Sequence, residues 1–207
     1  EDTGNTTVYL AIDKEIKAAF SISDTIKETS KDAVHKLKSM GIETIMLTGD
    51  SAAAAEPIAR EAGIDRVYAG LLPNEKLDII KELKKENKIV AMVGDGINDA
   101  PALAIADVGI AMGTGTDIAI EAAAITIIKG DLMAVADAIK LSRLTIGTIK
   151  ANLFWAFLYN IVGIPIAAGV LTIFGGPSLN PMIASLAMAF SSVSVVSNSL
   201  RLKKKRL

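Results

Sequence analysis

The stretch GDGINDAP occupies residues 94–101 and follows the apolar run Ile89–Val93. Asp95 and Asp99 are two carboxylates four residues apart, with the amide of Asn98 beside them, where a buried strand gives way to a helix. Oxygen ligands of this kind suit Mg²⁺, which proteins bind through one or two carboxylates plus a substrate phosphate. The flanking glycines allow a close backbone approach. An ordinary turn with a helix cap would not require eight specified residues, so the stretch predicts a loop that binds magnesium and phosphate.

Outward from this loop, strands and helices alternate at short spacing. The predicted strands are Thr44–Leu47, Val67–Ala69, Ile89–Val93, Val108–Ala111 and Ile125–Ile128, and the predicted helices are Lys27–Met40, Ala52–Ala62, Asn74–Asn87, Asp99–Ala106, Thr116–Ala123 and one from Leu132 onward. This alternation is typical of an α/β fold with a parallel sheet and helices on both faces. Before it, residues 6–12 and 16–22 predict an antiparallel hairpin. Ligands of such sheets bind at the carboxyl ends of the strands.

Two further segments lie where a phosphate would bind. Thr48-Gly49-Asp50 follows a predicted strand, and a hydroxyl there can hold a phosphoryl oxygen, although Gly-Asp is also a common turn. Lys76, in the segment Pro73-Asn74-Glu75-Lys76, falls in the first turn of a predicted helix, where a positive charge is unfavourable. A solvated lysine is the simple alternative. The functional interpretation is that Lys76 neutralises a transferred phosphoryl group.

The composition changes after Lys150. All 23 Asp and Glu residues lie in the first 150 positions, with 17 of the 22 Lys and Arg, so this part is acidic and a poor candidate for binding nucleic acid. Asn152–Phe174 and Pro181–Leu200 carry no formal charge and are long enough to cross a membrane, which takes roughly 20 apolar residues. A soluble hairpin of this length would normally carry a charged face. The sequence therefore predicts two transmembrane helices joined by the turn 175–180.

The flanking charges predict the orientation of this hairpin. Lys140, Arg143 and Lys150 precede the first span, the run 203–206 (KKKR) follows the second, and the turn between them has no charge. By the positive-inside rule both ends face the cytosol and the turn faces outward. We expect the basic run to be an anchor to membrane lipid rather than a nucleic-acid patch.

The order TGD, P-x-x-K and GDGxNDxP, at these spacings, resembles the P-type ATPases of the haloacid dehalogenase superfamily, and the resemblance extends over nearly the whole chain. It implies ion transport through an aspartyl phosphate, with Mg²⁺ and ATP as cofactors. The implied site residues are Thr48, Gly49 and Asp50 at the phosphoryl group, Lys76 stabilising its charge, Gly94 and Asp95 at Mg²⁺, and Asn98 and Asp99 assisting at phosphate and metal.

The resemblance also implies a domain organisation. Residues 1–24 would be a hairpin connecting from a nucleotide-binding domain, residues 25–140 the C-terminal part of the phosphorylation domain, and residues 141–207 the last two transmembrane helices with a basic cytosolic tail. The family's acceptor aspartate lies in an Asp-Lys-Thr-Gly-Thr segment, which this chain does not contain. We expect that segment, the nucleotide-binding and actuator domains and earlier membrane helices to lie upstream, in a plasma-membrane pump.

The transported ion is suggested by polar groups in the two spans. Tyr159 and Asn160 lie in the first span, and Met188 and Ser192, on one face of a helix, lie in the second. A thioether suits Cu(I), and neither span contains an acidic residue or a lysine that would favour a hard divalent ion. The same residues resemble the copper-transporting subgroup, in which a Cys-Pro-Cys upstream completes the site. Lipid-facing methionine and helix-packing serine are the simple alternative.

Two other functions remain open at this point. The first is a membrane-tethered phosphatase of the same superfamily that uses Asp13 as nucleophile, although Asp13-Lys14-Glu15 lacks the Thr-Gly of the family motif. The second is a non-catalytic membrane fragment. His35 is expected on an exposed helix face and not as a ligand. The chain has no cysteine, so thiolate metal sites and disulfides within it are excluded.

Overall fold

The computed structural model describes residues 6–22, 26–113, 115–176, 181–203 and 205. The chain divides into two compact units, residues 1–136 and 137–207. The strands are β1 (Thr6–Ile12), β2 (Glu15–Ile22), β3 (Ile45–Leu47), β4 (Arg66–Tyr68), β5 (Ala91–Gly94), β6 (Val108–Met112) and β7 (Ile125–Ile127). The helices are α1 (Glu28–Ser39), α2 (Ala52–Ala62), α3 (Pro73–Lys85), α4 (Ala100–Ile105), α5 (Asp117–Ala122), α6 (Leu132–Ala167), α7 (Val170–Ile173) and α8 (Pro181–Leu202). A 3-10 turn, Ile97–Asp99, precedes α4.

The first two strands form the predicted antiparallel hairpin. Its turn is one residue shorter than predicted, because Glu15 pairs with Ile12. Asp13 and Lys14 both have left-handed φ angles, 52° and 66°. Two left-handed central residues match the twist of the flanking strands, which is the usual geometry of a two-residue hairpin loop.

The five remaining strands are all parallel, as predicted for an α/β fold. They form two sheets among the described residues and not a single one: β3 pairs with β4, and β6 lies between β5 and β7. Each of β3 and β5 is paired along one edge. The strands are only three to five residues long, so their positions depend on the helices packed against them.

The core of the first unit packs α3, α4 and α5 against β5. Its buried members are Ile80, Leu83, Val90, Met92, Ala102, Leu103 and Ala119. Ile45 and Leu47 of β3 pack against the same cluster. Both sheets therefore rest on one core, and the loops that follow β3 and β5 belong to one body.

Helix boundaries in this unit follow local signals. The Ser51 hydroxyl accepts a hydrogen bond from the Ala54 backbone N–H and caps the start of α2. Gly63 ends α2 with φ 76°, a conformation that favours glycine. At the start of α3, Pro73 takes the first helical position, and the Glu75 carboxylate accepts a hydrogen bond from the Leu72 N–H at 2.7 Å.

The second unit consists of helices. Among the described residues, Leu132–Ile166 is the one helical segment both long and apolar enough to cross a membrane. The predicted first span, Asn152–Phe174, is not a single helix: α6 stops at Ala167, Gly169 adopts φ 86°, and α7 follows. The Gly169 N–H bonds the Ile166 carbonyl three residues back, which tightens and ends the helix. The predicted second span is the 22-residue α8, while residues 177–180 of the turn lie outside the described residues.

Candidate active site

The loop residues predicted from the sequence lie at the carboxyl ends of β3 and β5. Thr48-Gly49-Asp50 leaves β3, and Asp95 to Asp99 leaves β5. The carboxyl ends of parallel strands are where α/β folds bind ligands, and β3 and β5, although in different sheets, rest on one core. Lys76 lies in the first turn of α3, which packs against the 3-10 turn holding Asp99.

Lys76 and Asp99 form a largely buried ion pair. The Lys76 Nζ lies 2.8 Å from Oδ1 of Asp99, and the two side chains are 15% and 12% exposed. Removing an ion from water costs several kcal/mol, and the attraction of a close partner offsets part of that cost. The pair explains how a lysine is held at the positive end of a helix. It also places a fixed positive charge and a carboxylate together at the strand ends.

Gly94 has its backbone against the Asp99 side chain. A Cβ atom at position 94 would lie 2.7 Å from the Asp99 Cβ and 2.9 Å from its Oδ2, distances that real Cβ contacts do not show. At Gly96 the nearest atom would be 3.6 Å away. The first glycine of the GDG segment is therefore required by the position of Asp99, while the second has room for a methyl group.

Thr48 and Asp50 form a second small cluster. The Thr48 hydroxyl donates to Oδ2 of Asp50 at 2.8 Å, and the Asp50 N–H donates to the Thr48 Oγ1 at 3.1 Å. The Thr48 carbonyl accepts from Leu71 N–H, which ties this loop to the segment leading into α3. Gly49 is exposed. The hydroxyl and the exposed glycine backbone are thus oriented by a local hydrogen-bonded turn.

Asp95 and Asn98 are exposed beside the buried Asp99. The Asp95 carbonyl accepts a hydrogen bond of 2.9 Å from the Thr116 N–H. A Cβ at Gly115 would lie 2.5 Å from the same carbonyl oxygen. Sequence reasoning did not single out Gly115 and Thr116. The sequence signal for them was a glycine and a helix-capping hydroxyl after the parallel strand β6. Both residues contact the backbone of Asp95 and so support its loop.

The residues fit a Mg²⁺ ion that would be bound partly by protein carboxylates and partly by oxygens of a substrate phosphate. Asp95 and Asp99 supply carboxylate oxygens, the ligand type that Mg²⁺ takes. No group of three or more His, Asp or Glu side chains that could cage a metal occurs in the described part of the chain. An ion bound by two carboxylates with water and substrate oxygens does not need such a cage.

The residues predicted to bind the transported ion lie on α6 and α8. A cavity of about 330 Å³ separates the two helices and is lined by Asn152, Trp155, Tyr159, Ser194, Val195, Ser197, Asn198 and Arg201. Tyr159 is therefore at this cavity, whereas Asn160 is exposed and its side-chain amide donates to the Ala156 carbonyl at 3.1 Å. Ser192 is exposed on α8. The side chain of Met188 lies outside the described residues.

The alternative nucleophile Asp13 lies in the exposed turn of the β1–β2 hairpin. That hairpin is a separate sheet from the parallel strands whose ends carry Thr48 and Asp95. The fold therefore does not favour Asp13 as an acceptor of phosphate. His35 is exposed on α1, as predicted.

Ion pairs occupy the opposite, amino-terminal ends of the strands. Asp65 lies 2.6 Å from the Lys38 Nζ and accepts hydrogen bonds from the N–H and hydroxyl of Thr44, and these contacts lower the pKa of Asp65 to about 2. Lys88 lies 3.1 Å from Glu43, which lowers the pKa of Glu43 and raises that of Lys88. These pairs join α1, β3, β4 and the segment before β5, away from the candidate site.

Comparisons with known proteins agree with this arrangement. Residues 1–107 match a family model described as haloacid dehalogenase-like hydrolase, and residues 76–139 match a second with the same description. The chain is 55% identical to a probable copper-transporting ATPase, PacS, of Synechocystis sp. over 99% of the chain and 27% of that protein. It is 56% identical to a copper-exporting P-type ATPase of Bacillus subtilis and 53% identical to a silver exporting P-type ATPase of Salmonella typhimurium, each over 99% of the chain and 25% of the relative.

Solved structures of this class are also similar. A zinc-transporting PIB-type ATPase in the E2.Pi state matches with a TM-score of 0.82 and 35% identity, over 97% of this chain and 32% of that one. The catalytic domain of the CPx-ATPase CopB-B matches with a TM-score of 0.55 and 39% identity, over 64% of this chain and 52% of that one. The chain spans about a quarter of the length of the curated relatives it matches.

Proposed function

The chain belongs to the haloacid dehalogenase-like hydrolase family, and we propose that it forms part of a P-type ATPase that exports a heavy-metal cation. The observation that carries this proposal is the buried Lys76–Asp99 pair beside Asp95, at the carboxyl ends of the parallel strands. A charge-neutralising lysine and two carboxylates are what phosphoryl transfer requires, because that reaction depends on positioning and on electrostatic stabilisation.

Each site residue has a role in this proposal. Lys76 faces the charge of the phosphoryl group, and the Thr48 hydroxyl and Gly49 backbone contact its oxygens. Asp50 orients Thr48 through their 2.8 Å hydrogen bond. Asp95 and Asp99 would hold Mg²⁺, with Asn98 beside them, and the bound ion would supply positive charge to stabilise the phosphate oxygens. Gly94 leaves room for the Asp99 side chain.

The phosphate acceptor is an aspartate from another part of the pump. Its carboxylate attacks the γ-phosphorus of ATP, ADP leaves, and water later hydrolyses the acyl phosphate. The edges of β3 and β5 that lack a strand partner within the described chain suit a strand that delivers this aspartate. Large apolar side chains are exposed on the β1–β2 hairpin, namely Val8, Tyr9, Leu10, Ile12, Ile16 and Phe20. We assign this surface to contact with the nucleotide-binding domain. The actuator domain and earlier membrane helices are further parts of the proposed pump.

The second unit crosses the plasma membrane in this proposal. Exposed Phe154, Phe157 and Ile161 on α6 suit contact with lipid tails. The basic residues at both ends of the hairpin support a cytosolic position for the catalytic part and the C-terminus. The exported ion is Cu(I), bound in part by Tyr159, Asn160, Met188 and Ser192. The names of the copper and silver relatives support a soft monovalent ion.

Transport by the whole pump tests the proposal. Inside-out membrane vesicles that contain the complete pump should accumulate Cu(I) when ATP and Mg²⁺ are added. The variant Asp95→Asn should abolish this uptake, whereas Asp78→Asn, in an exposed pair on α3, should retain it. Uptake that persists in Asp95→Asn would refute the assignment of the site.

A further inference from the structure

Three polar side chains join α6 to α8 near the end of the hairpin where α8 finishes. The Asn152 Nδ2 donates to the Ser199 hydroxyl at 2.9 Å, and the Asn198 Nδ2 donates to the Asn152 Oδ1 at 2.7 Å. The Ser199 hydroxyl in turn donates to the Val195 carbonyl of its own helix. Asn152 thus uses both its donor and its acceptor on two successive residues of α8. We call these three side chains the amide clasp.

The clasp fixes the register of the two helices. Successive residues of an α-helix differ by about 100° in direction and 1.5 Å in height. The Asn152 amide can therefore keep its bonds to both Asn198 and Ser199 only if α8 neither slides along nor rotates against α6. Hydrogen bonds between side chains are directional, so this contact is sensitive to small slides of one helix past the other.

The register set by the clasp brings two predicted ion-site residues to one level. Asn152 bonds residues 198 and 199, near the end of α8, and the short connection 174–180 between α7 and α8 reaches at most about 25 Å, so α6 and α8 are antiparallel. Tyr159 lies seven residues beyond Asn152, and Ser192 lies seven residues before Ser199. Seven residues are two turns, about 10.5 Å along each helix. Tyr159 and Ser192 therefore sit at matching depth.

We propose that the amide clasp is a positioning device that holds α6 and α8 in the register needed for the ion site. Asn152, Asn198 and Ser199 do not bind the ion; they set the depth at which Tyr159 and Ser192 lie. The effect of the clasp on ion binding rests on the proposed function, whereas the helix register rests on the hydrogen bonds alone. Outer-shell groups that orient metal ligands usually change metal affinity by about 10–100-fold when they are replaced.

The test uses the complete pump in membranes and has two readouts. Asn152→Leu should raise the metal KM for ATP hydrolysis by about 10-fold, as loss of an orienting group does, with kcat within about two-fold. Exchanging the partners, Asn152→Ser with Ser199→Asn, should restore the KM. The control is Thr148→Val, because the Thr148 hydroxyl bonds the Leu144 carbonyl of its own helix; this variant should leave the metal KM unchanged.

The second readout measures register without transport. Trp155 and Val195 both line the cavity, and they lie three residues after Asn152 and four residues before Ser199, which puts them at a similar level in this register. In the variant Trp155→Cys with Val195→Cys, a short bifunctional thiol reagent should cross-link the two positions. Adding Asn152→Leu should lower the cross-link yield severalfold, and the exchanged pair should restore it. A wild-type pump without metal-stimulated hydrolysis would refute the proposed function and leave the cross-link test intact.

The following results would overturn the positioning role. One is an unchanged metal KM and cross-link yield in Asn152→Leu. Another is a fall in kcat with no change in KM. If Asn152→Leu does not fold, the exchanged pair decides: a folded exchanged pair with wild-type KM and cross-linking supports the proposal, and a folded exchanged pair that lacks them refutes it.

Discussion

The Nζ atom of Lys76 lies 2.8 Å from Oδ1 of Asp99, although 23 residues separate them in the sequence and both side chains are largely buried. Because each charge compensates the other, a change at either residue acts on stability as well as on chemistry. Predictions about this site must therefore separate the two effects.

Lys76→Met should lower the rate of ATP hydrolysis by about 10²–10³-fold, the loss typical of removing one preorganised charge-stabilising group. It should also destabilise the domain by about 3–5 kcal/mol, because Asp99 is left buried without a counter-charge. Turnover and urea unfolding measure the two effects. Lys81→Met is the matched control, since Lys81 lies on the same helix in an exposed pair with Asp78.

Lys76→Met combined with Asp99→Asn separates the two roles of the pair. The double variant should recover most of the lost stability, because no uncompensated charge is buried. It should not recover turnover, because both the lysine charge and the carboxylate are absent. A double variant that hydrolyses ATP at the wild-type rate would show that the pair is structural only.

Gly94→Ala should reduce Mg²⁺-dependent hydrolysis by about 100-fold, as misplacing a reacting group by about 1 Å can. The added Cβ would lie 2.7 Å from the Asp99 Cβ and must displace that side chain. Gly96→Ala, two residues along, meets its nearest atom at 3.6 Å and should cost much less. Equal losses in the two variants would contradict the account of Gly94.

Asp65→Asn should make the free energy of unfolding depend less on pH in the acidic range. The contacts of Asp65 with Lys38 and Thr44 lower its folded pKa to about 2, below its ordinary value. The stabilisation is therefore complete above the unfolded pKa, about 3.9, and is lost as the pH falls towards 2. In urea unfolding of the catalytic domain, wild type should exceed Asp65→Asn at neutral pH and converge with it near pH 2.

The control for the acid experiment is Asp78→Asn, which removes an exposed pair on α3. Such pairs contribute little to stability, so this variant should follow the wild type at every pH. A difference between wild type and Asp65→Asn that persists or grows at low pH would contradict the assignment to Asp65.

The orientation of the membrane hairpin can be read by labelling. A thiol reagent that does not cross membranes should label Gly176→Cys in intact cells, and should label Lys205→Cys only after the cells are opened. The reason is that basic residues flank both ends of the hairpin and none lies in its turn. The reverse pattern would place the catalytic part outside the cell and contradict the proposed pump.

Much of the fold follows from patterns that are local in sequence. Turn residues and hydrophobic periodicity were enough to predict the end of α2 at Gly63 and the α/β alternation around β5. The break at Gly169 was missed, because glycine and proline also occur within membrane helices and the apolar run continues past it. A glycine was therefore a sufficient signal at Gly63, where the helical pattern also ends, and an insufficient one at Gly169, where the apolar run continues.

Contacts between distant segments were less predictable. Lys76 and Asp99 were each expected at the phosphate or the metal, but their ion pair depends on how α3 packs against the 3-10 turn. Predicting the amide clasp would have required the register of α6 against α8, which no local sequence pattern contains. The serines and asparagines of α8 indicated only that this helix would face a partner.

Ion-stimulated ATP hydrolysis by the complete pump is the most direct test of Cu(I) export through the site that contains Lys76. The rate should be measured with Cu(I) and with Zn²⁺ over the same range of free concentration, in the wild type and in Lys76→Met. Cu(I) should stimulate hydrolysis by the wild type well above Zn²⁺, and Lys76→Met should respond to neither ion. Equal stimulation by the two ions would contradict the Cu(I) assignment, and a stimulated Lys76→Met would contradict the catalytic site.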